Sequence, residues 1–337
     1  MKRYTLADIG KLAGVSPKTV SRVINNDKYV KDETRKKILK IIDETGYYPN
    51  NSARSLVTRK TKTIGLIVGD IENPYYSRLA RGVIRAAESY NYSVIVCESR
   101  FEEAVAEKYL NMLMERSVDG ILISTLDFKS SVLDRLKMNG FPHIFVTCKL
   151  LSTSTNYVIG DEYQGEREAI KYLINLGHRD IAFLRGPNMF PANQKLLAYK
   201  DVMKENNIQI KDYFISRSVY DHEGGHNVTL ELLSNHKDIT AILAINDIVA
   251  IGALEAIDEL GLSVPEDISI IGCDNIGVTK LLKVPLTTIN YPKLRCGNIA
   301  TKILIDTLEG RTIRKKKEVI LGCKLIVRNS CAPLKSA

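Results

Sequence analysis

The chain has 337 residues, 45% hydrophobic and 26% charged, enough for a sizeable core and for two or three domains rather than one. No apolar run reaches the roughly 20 residues of a membrane helix, the first twenty positions lack the apolar core of a signal peptide, and the six cysteines are scattered without a CxxC pair. This points to the cytoplasm, with buried, reduced thiols. The net charge of +9 is local: residues 1–62 hold 15 Lys and Arg against 6 Asp and Glu, leaving 33 of each sign in residues 63–337, as expected when a small basic module for a polyanion is joined to a neutral body.

Thr5 and Asp8 have the spacing of a capping box, and Leu6, Ile9, Leu12 and Ala13 recur at helical spacing, which predicts a first helix from about Leu6 to Ala13. Gly14 can end it in the left-handed conformation. Ser16 and Pro17 then restart a helix that runs to about Asn25, with Val20, Val23 and Ile24 facing inward. Two short helices joined by so tight a Gly-containing turn form a helix-turn-helix, whose second helix enters the major groove by its N-terminal end. Pro17, Lys18 and Arg22 are therefore the candidate base-edge readers, and Ser16, Thr19, Ser21 and Asn25 suit phosphates, with Thr5 added to the DNA-contacting set. A third helix, about Asp32 to Thr45, supplies Ile38, Leu39, Ile41 and Ile42 to a three-helix core and stops at Gly46.

The segment from Tyr47 to Leu56 is too short to hold a helix alone in water and should order only when docked. At this point LAGVSPKTVSRVIN, then TR, GYYPN and ARSL resemble the LacI/GalR family of bacterial repressors in order and spacing. The resemblance implies hinge helices that pair across a dimer in the minor groove, where Leu56 wedges between base steps with Asn50 and Ala53 beside it. Lys31 stands where that family usually has a capping serine.

Beyond TRKTK the texture changes to apolar strands alternating with amphipathic helices. Strand candidates are residues 63–69, 92–99, 118–124, 143–148, 180–186, 241–246 and 267–273. Near-continuous Val/Ile/Leu strands between helices mean parallel sheets covered on both faces, and about 275 residues of them mean two similar lobes with a ligand crevice at the strand C-termini. The expected architecture is an N-terminal all-α helix-turn-helix domain (1–48), a hinge helix and linker (49–60) and an α/β two-lobed, periplasmic-binding-protein-like domain (61–337). The family resemblance continues here through DIENPYY, VIGDEYQG, VPEDISIIGCDN and LIVRNS, and implies chain crossings between the lobes near residues 161, 290 and 323.

The same resemblance maps an effector cleft onto Tyr75, Tyr76, Lys195, Tyr220, Asn246 and Asp274. Carboxylate and amide groups suit vicinal hydroxyls and an aromatic face covers the apolar side of a sugar ring, so the expected effector is a small polar molecule, in the first place a sugar. Lys195 replaces a usual arginine, and Cys273, Asn275 and Thr147 also depart from the family pattern.

His222, Glu223 and His226 spell HExxH, the zinc-peptidase motif. Adjacent glycines and a preceding strand-like FISRSVY place it instead across a strand-to-helix turn, so no metal, cofactor or catalytic residue is expected. The reading is a DNA-binding regulator and not an enzyme: a homodimeric repressor of a palindromic operator under control of a small-molecule effector. A transport protein for sugars would share the body but lack the basic module, and an effector that is a phosphorylated carrier protein is the remaining alternative.

Overall fold

A computed structural model describes residues 4–48, 60–125, 136, 138–149, 155–217, 220–311 and 317–334. The chain divides into two compact units, Met1–Thr61 and Lys62–Ala337.

The first unit holds α1 (Leu6–Ala13), α2 (Pro17–Ile24) and α3 (Asp32–Thr45). Thr5 and Asp8 cap α1 reciprocally: Thr5 Oγ1 accepts from the Asp8 N–H at 3.2 Å and the Thr5 N–H donates to Asp8 Oδ2 at 2.9 Å. Gly14, at φ +70°, ends the helix, and Ser16 Oγ starts α2 by accepting from the Thr19 N–H. Lys31 gives α3 no side-chain cap, but Asp32 and Glu33 in its first turn oppose the positive end of the helix dipole. Ile9, Ala13, Val20, Val23, Ile38 and Tyr47 form the core. Leu12 and Leu39, expected inside, are 53% and 48% exposed. Helices this short bury one narrow stripe, which Ile9 with Ala13 and Ile38 with Ile41 and Ile42 already fill.

The second unit is two sheets of one topology. The first is ordered β2 (Ser93–Glu98), β1 (Thr63–Val68), β3 (Gly120–Ser124), β4 (His143–Val146), β5 (Tyr157–Gly160) and β11 (Glu318–Leu321), all parallel. The second is ordered β7 (Ile215–Arg217), β6 (Ile181–Arg185), β8 (Ala241–Ala244), β9 (Ser269–Cys273), β10 (Thr287–Asn290) and β12 (Lys324–Ile326), parallel except for β12. The helices are α4 (Pro74–Ser89), α5 (Glu103–Glu115), α6 (Glu162–Asn175), α7 (Phe190–Glu205), α8 (His222–Asn235), α9 (Asp247–Glu259) and α10 (Lys293–Leu308).

Strand order reverses beside β1 and again beside β6, which opens a crevice at the strand C-termini of each lobe. The chain passes from the first sheet to the second at Asp161, returns after Asn290 and passes over again at Gly322–Cys323. Among the described residues no helix is long and apolar enough to cross a membrane. All six cysteines are free thiols, five of them buried.

The HEGGH segment lies otherwise than its glycines imply, because all five residues belong to α8. Gly225 faces the Val249 carbonyl of α9 and Gly252 faces the His222 carbonyl of α8, so closely that a Cβ at either would overlap backbone. Tertiary packing thus outweighs the low helix propensity of glycine.

Candidate functional site

In the helix-turn-helix unit, Ser16, Pro17, Lys18, Arg22 and Asn25 are exposed, and Thr19 and Ser21 are half-buried. The α2 hydroxyls are organised along the helix: Ser16 Oγ lies 3.0 Å from Thr19 Oγ1, and Asn25 Nδ2 donates to Ser21 Oγ at 3.4 Å. Arg22 Nε sits 3.5 Å from Asp27 Oδ2, a surface pair that leaves the guanidinium half exposed. Thr5 is exposed, but its side chain caps α1. Asn50, Ala53 and Leu56 lie outside the described residues.

In the body, the lobes enclose a cavity of about 80 Å³ lined from the strand C-termini of both. Tyr75, Tyr76, Lys195, Tyr220, Asn246 and Asp274, the six cleft residues named from the sequence, all line it. It is small beside the roughly 300–1,000 Å³ of open ligand clefts. The ligand-facing chemistry divides into groups spent on the protein and groups left free.

Lys195 is 6% exposed, and its Nζ reaches the Ile245 carbonyl at 2.8 Å, Cys273 Sγ at 3.1 Å and Glu162 Oε2 at 3.4 Å, which accounts for its three protons. Burial works against its charge, but the acidic groups around it hold its pKa well above the usual lysine value. Asn246 caps α9, accepting from the Val249 N–H at 2.8 Å and donating to the Tyr220 carbonyl at 3.3 Å. Asp274 differs. The residue is 7% exposed, its backbone is held at φ +116°, its carbonyl accepts from Lys293 Nζ, and its carboxylate makes no hydrogen bond among the described residues. Burial raises the Asp274 pKa, a rise that the Lys195 and Lys293 charges oppose.

Sequence reasoning missed Glu162 and Phe101. Glu162 follows the first crossing and pairs with Lys195; burial lifts its carboxyl to about 7. Phe101 follows β2 as Tyr220 follows β7, so the two occupy equivalent places in the lobes. Their rings face each other across the cleft at 5.9 Å with 14° between planes. Each ring lies over the glycine just past its lobe's first strand, Gly69 under Phe101 and Gly186 under Tyr220. The repeated strand–helix–strand unit was the signal that could have paired Phe101 with Tyr220. Arg100 and Phe101 adopt left-handed φ of +54° and +57°, an unfavourable conformation for bulky residues that here aims the ring. Asn275 turns away from the cleft: its Nδ2 donates to Asn290 Oδ1 and its Oδ1 accepts from Arg328.

The two histidines of HEGGH are engaged by α9, His222 Nε2 at 3.1 Å from Glu255 Oε2 and His226 Nε2 at 2.9 Å from Glu259 Oε2. Among the described residues no group of three or more His, Cys, Asp or Glu side chains is arranged to hold a metal ion.

Two family descriptions match the chain: bacterial regulatory proteins of the lacI family over residues 5–50, and a periplasmic binding protein-like domain over residues 170–331. An HTH-type transcriptional repressor named PurR from Histophilus somni is 33% identical over 333 residues, covering 98% of this chain and 99% of that protein. The chain belongs to the LacI family. Among solved structures, the lac repressor dimer bound to operator and the anti-inducer ONPF superposes with a TM-score of 0.87 at 27% identity, covering 98% of this chain and 100% of that one. A complex of the transcriptional regulator CelR with cellobiose gives 0.75 at 28% identity over 97% of this chain and 100% of that one. The protein is thus a ligand-regulated, DNA-binding transcriptional repressor of this family, with its helix-turn-helix at α1 and α2.

Proposed function

We propose that this LacI-family repressor binds a palindromic operator as a homodimer and that a small polyhydroxylated molecule, a sugar, controls it from the cleft between the lobes. The observation that carries the ligand class is the cleft itself: an Asp274 carboxylate with no hydrogen bond among the described residues, able to accept from hydroxyls, in one cavity with aromatic rings from both lobes. The likeness to a regulator in complex with cellobiose supports this reading. The homodimer rests on the need of one eight-residue helix for a second half-site, and on the likeness to an operator-bound dimer.

In this reading Pro17, Lys18 and Arg22 read base edges, while Ser16, Thr19, Ser21 and Asn25, with Thr5 at the start of α1, hold the backbone. Asn50, Ala53 and Leu56 belong to a hinge helix that enters the minor groove, as the family resemblance implies. Tyr75, Tyr76, Tyr220 and Asp274 touch the effector, and Lys195 and Asn246 hold the cleft's shape through the bonds described above. Ligand and operator are coupled because rotation of the lobes about the three crossings changes what the hinges present to DNA.

The test is selection of bound sequences from a random DNA pool by the purified chain, followed by salt titration of the selected site with and without a panel of mono- and disaccharides. The expected result is a pseudo-palindrome, a steep salt slope and an affinity shift with one sugar. A selected site without two-fold symmetry would remove the homodimer on a palindrome, and silence across the panel beside a response to a non-carbohydrate metabolite would remove the sugar.

A further inference from the structure

A second concavity, of about 890 Å³, shares no lining residue with the effector cleft. Arg78 and Arg81 enter it from α4, one turn apart on a single helix face; Lys280 comes from the loop after β9, Arg295 from the first turn of α10 and Lys324 from β12. All five are exposed, and among the described residues none makes an ion pair or hydrogen bond through its side chain. Deeper in, Arg328 is half-buried and its guanidinium meets only neutral oxygens, those of Thr279, Leu286 and Asn275. Lys293 completes the set; its charge alone is answered, by the Asp274 carbonyl and the acidic groups behind it.

Among the described residues no Asp or Glu lines the groove. This is not a consequence of composition, since residues 63–337 carry 33 charges of each sign. The α10 N-terminus adds to the same field. Its cap position is Pro292, whose ring carries no hydrogen-bond acceptor, its first turn holds no acid, and the backbone N–H groups of Leu294 and Arg295 find no acceptor among the described residues. Like charges lining one groove repel one another, and the arginine forks match phosphate oxygens.

We propose that this groove is a second ligand site, for a small molecule carrying two or more phosphate groups. Its volume is that of a small-molecule cleft. Because α4 belongs to the first lobe and Lys280 and Arg328 to the second, the bound anion ties the lobes together and stabilises the arrangement in which they converge.

The probe is inorganic pyrophosphate, titrated calorimetrically into the full chain at low salt, with inorganic phosphate in parallel. Two variants separate the groove from the basic DNA-binding unit: Arg81→Ser with Arg295→Ser, and Lys36→Ser with Lys37→Ser on the exposed face of α3. Thermal melts of both variants establish that they fold. The expected result is saturable pyrophosphate binding, tighter than phosphate, weakened at least about tenfold by the groove substitutions and unaltered by those in α3. Equal binding by the groove variant, loss of binding in the α3 variant, or absence of saturable pyrophosphate binding overturns the proposal.

Discussion

Asp274 and Lys195 stand in the same cavity but in different conditions, and the difference fixes what each substitution does. Lys195 has every proton committed inside the protein, so its removal strands Glu162 as a buried carboxylate and costs stability before it tests binding. Asp274 has a carboxylate that accepts no hydrogen bond among the described residues, on a backbone held at φ +116°. Asp274→Asn therefore leaves the fold and operator affinity intact and abolishes the effector's influence on that affinity, read by fluorescence anisotropy of labelled operator with and without ligand. A retained response would place the ligand elsewhere. The cleft residues were legible through the family resemblance, and all six line the cavity; of these, Asn246 and Asp274 also stand just past apolar strands, where side chains face the crevice in this topology. Glu162 was not legible, since a glutamate opening a helix reads as a solvated first-turn acid until the neighbouring lysine is seen to lie buried against it.

Packing between elements accounts for most of what the sequence concealed. The strand Thr287–Asn290 carries two threonines that a hydrophobicity reading scores as polar, yet both are fully buried. Thr287 Oγ1 accepts from the Arg328 N–H at 2.9 Å, and Thr288 Oγ1 donates to Asp247 Oδ1 at 2.5 Å. Tyr157–Gly160, Glu318–Leu321 and Lys324–Ile326 span only three or four residues each, too few to show a period. The long apolar strands and the three N-terminal helices were readable because local propensity, capping and burial agree there. In α8 they disagree: the glycines that argue against a helix in isolation are what let α8 and α9 touch along their backbones. Gly225→Ala improves local propensity yet forces backbone apart, and we expect a net loss of about 2–3 kcal/mol, measured as a lower urea midpoint with an unchanged slope. A midpoint at or above the parent's would show that the two helices separate freely.

Charge burial sets a pH dependence for the protein as a unit. Glu162, Glu166, Asp247 and Asp274 are all buried near the cleft, and desolvation raises the pKa of each, Glu162 to about 7 and Glu166 to about 8. Glu166 is the extreme case, 1% exposed with neither carboxyl oxygen hydrogen-bonded. A carboxyl whose folded pKa exceeds its unfolded one favours the folded state most at low pH. Between its unfolded value of 4.5 and about 8, Glu166 loses that contribution steadily, because the unfolded chain has released the proton that the folded one retains. At neutral pH the loss is on the order of 3 kcal/mol relative to pH 4.5. Glu166→Leu fills a similar volume without the titrating group, so its unfolding free energy should exceed the parent's by a margin that widens from pH 5 to pH 7.5. Paired urea melts at the two pH values measure that margin. A constant margin would mean that Glu166 is ionised in the folded protein and that Lys195, the cation opposing its shift, holds it so across the cavity wall.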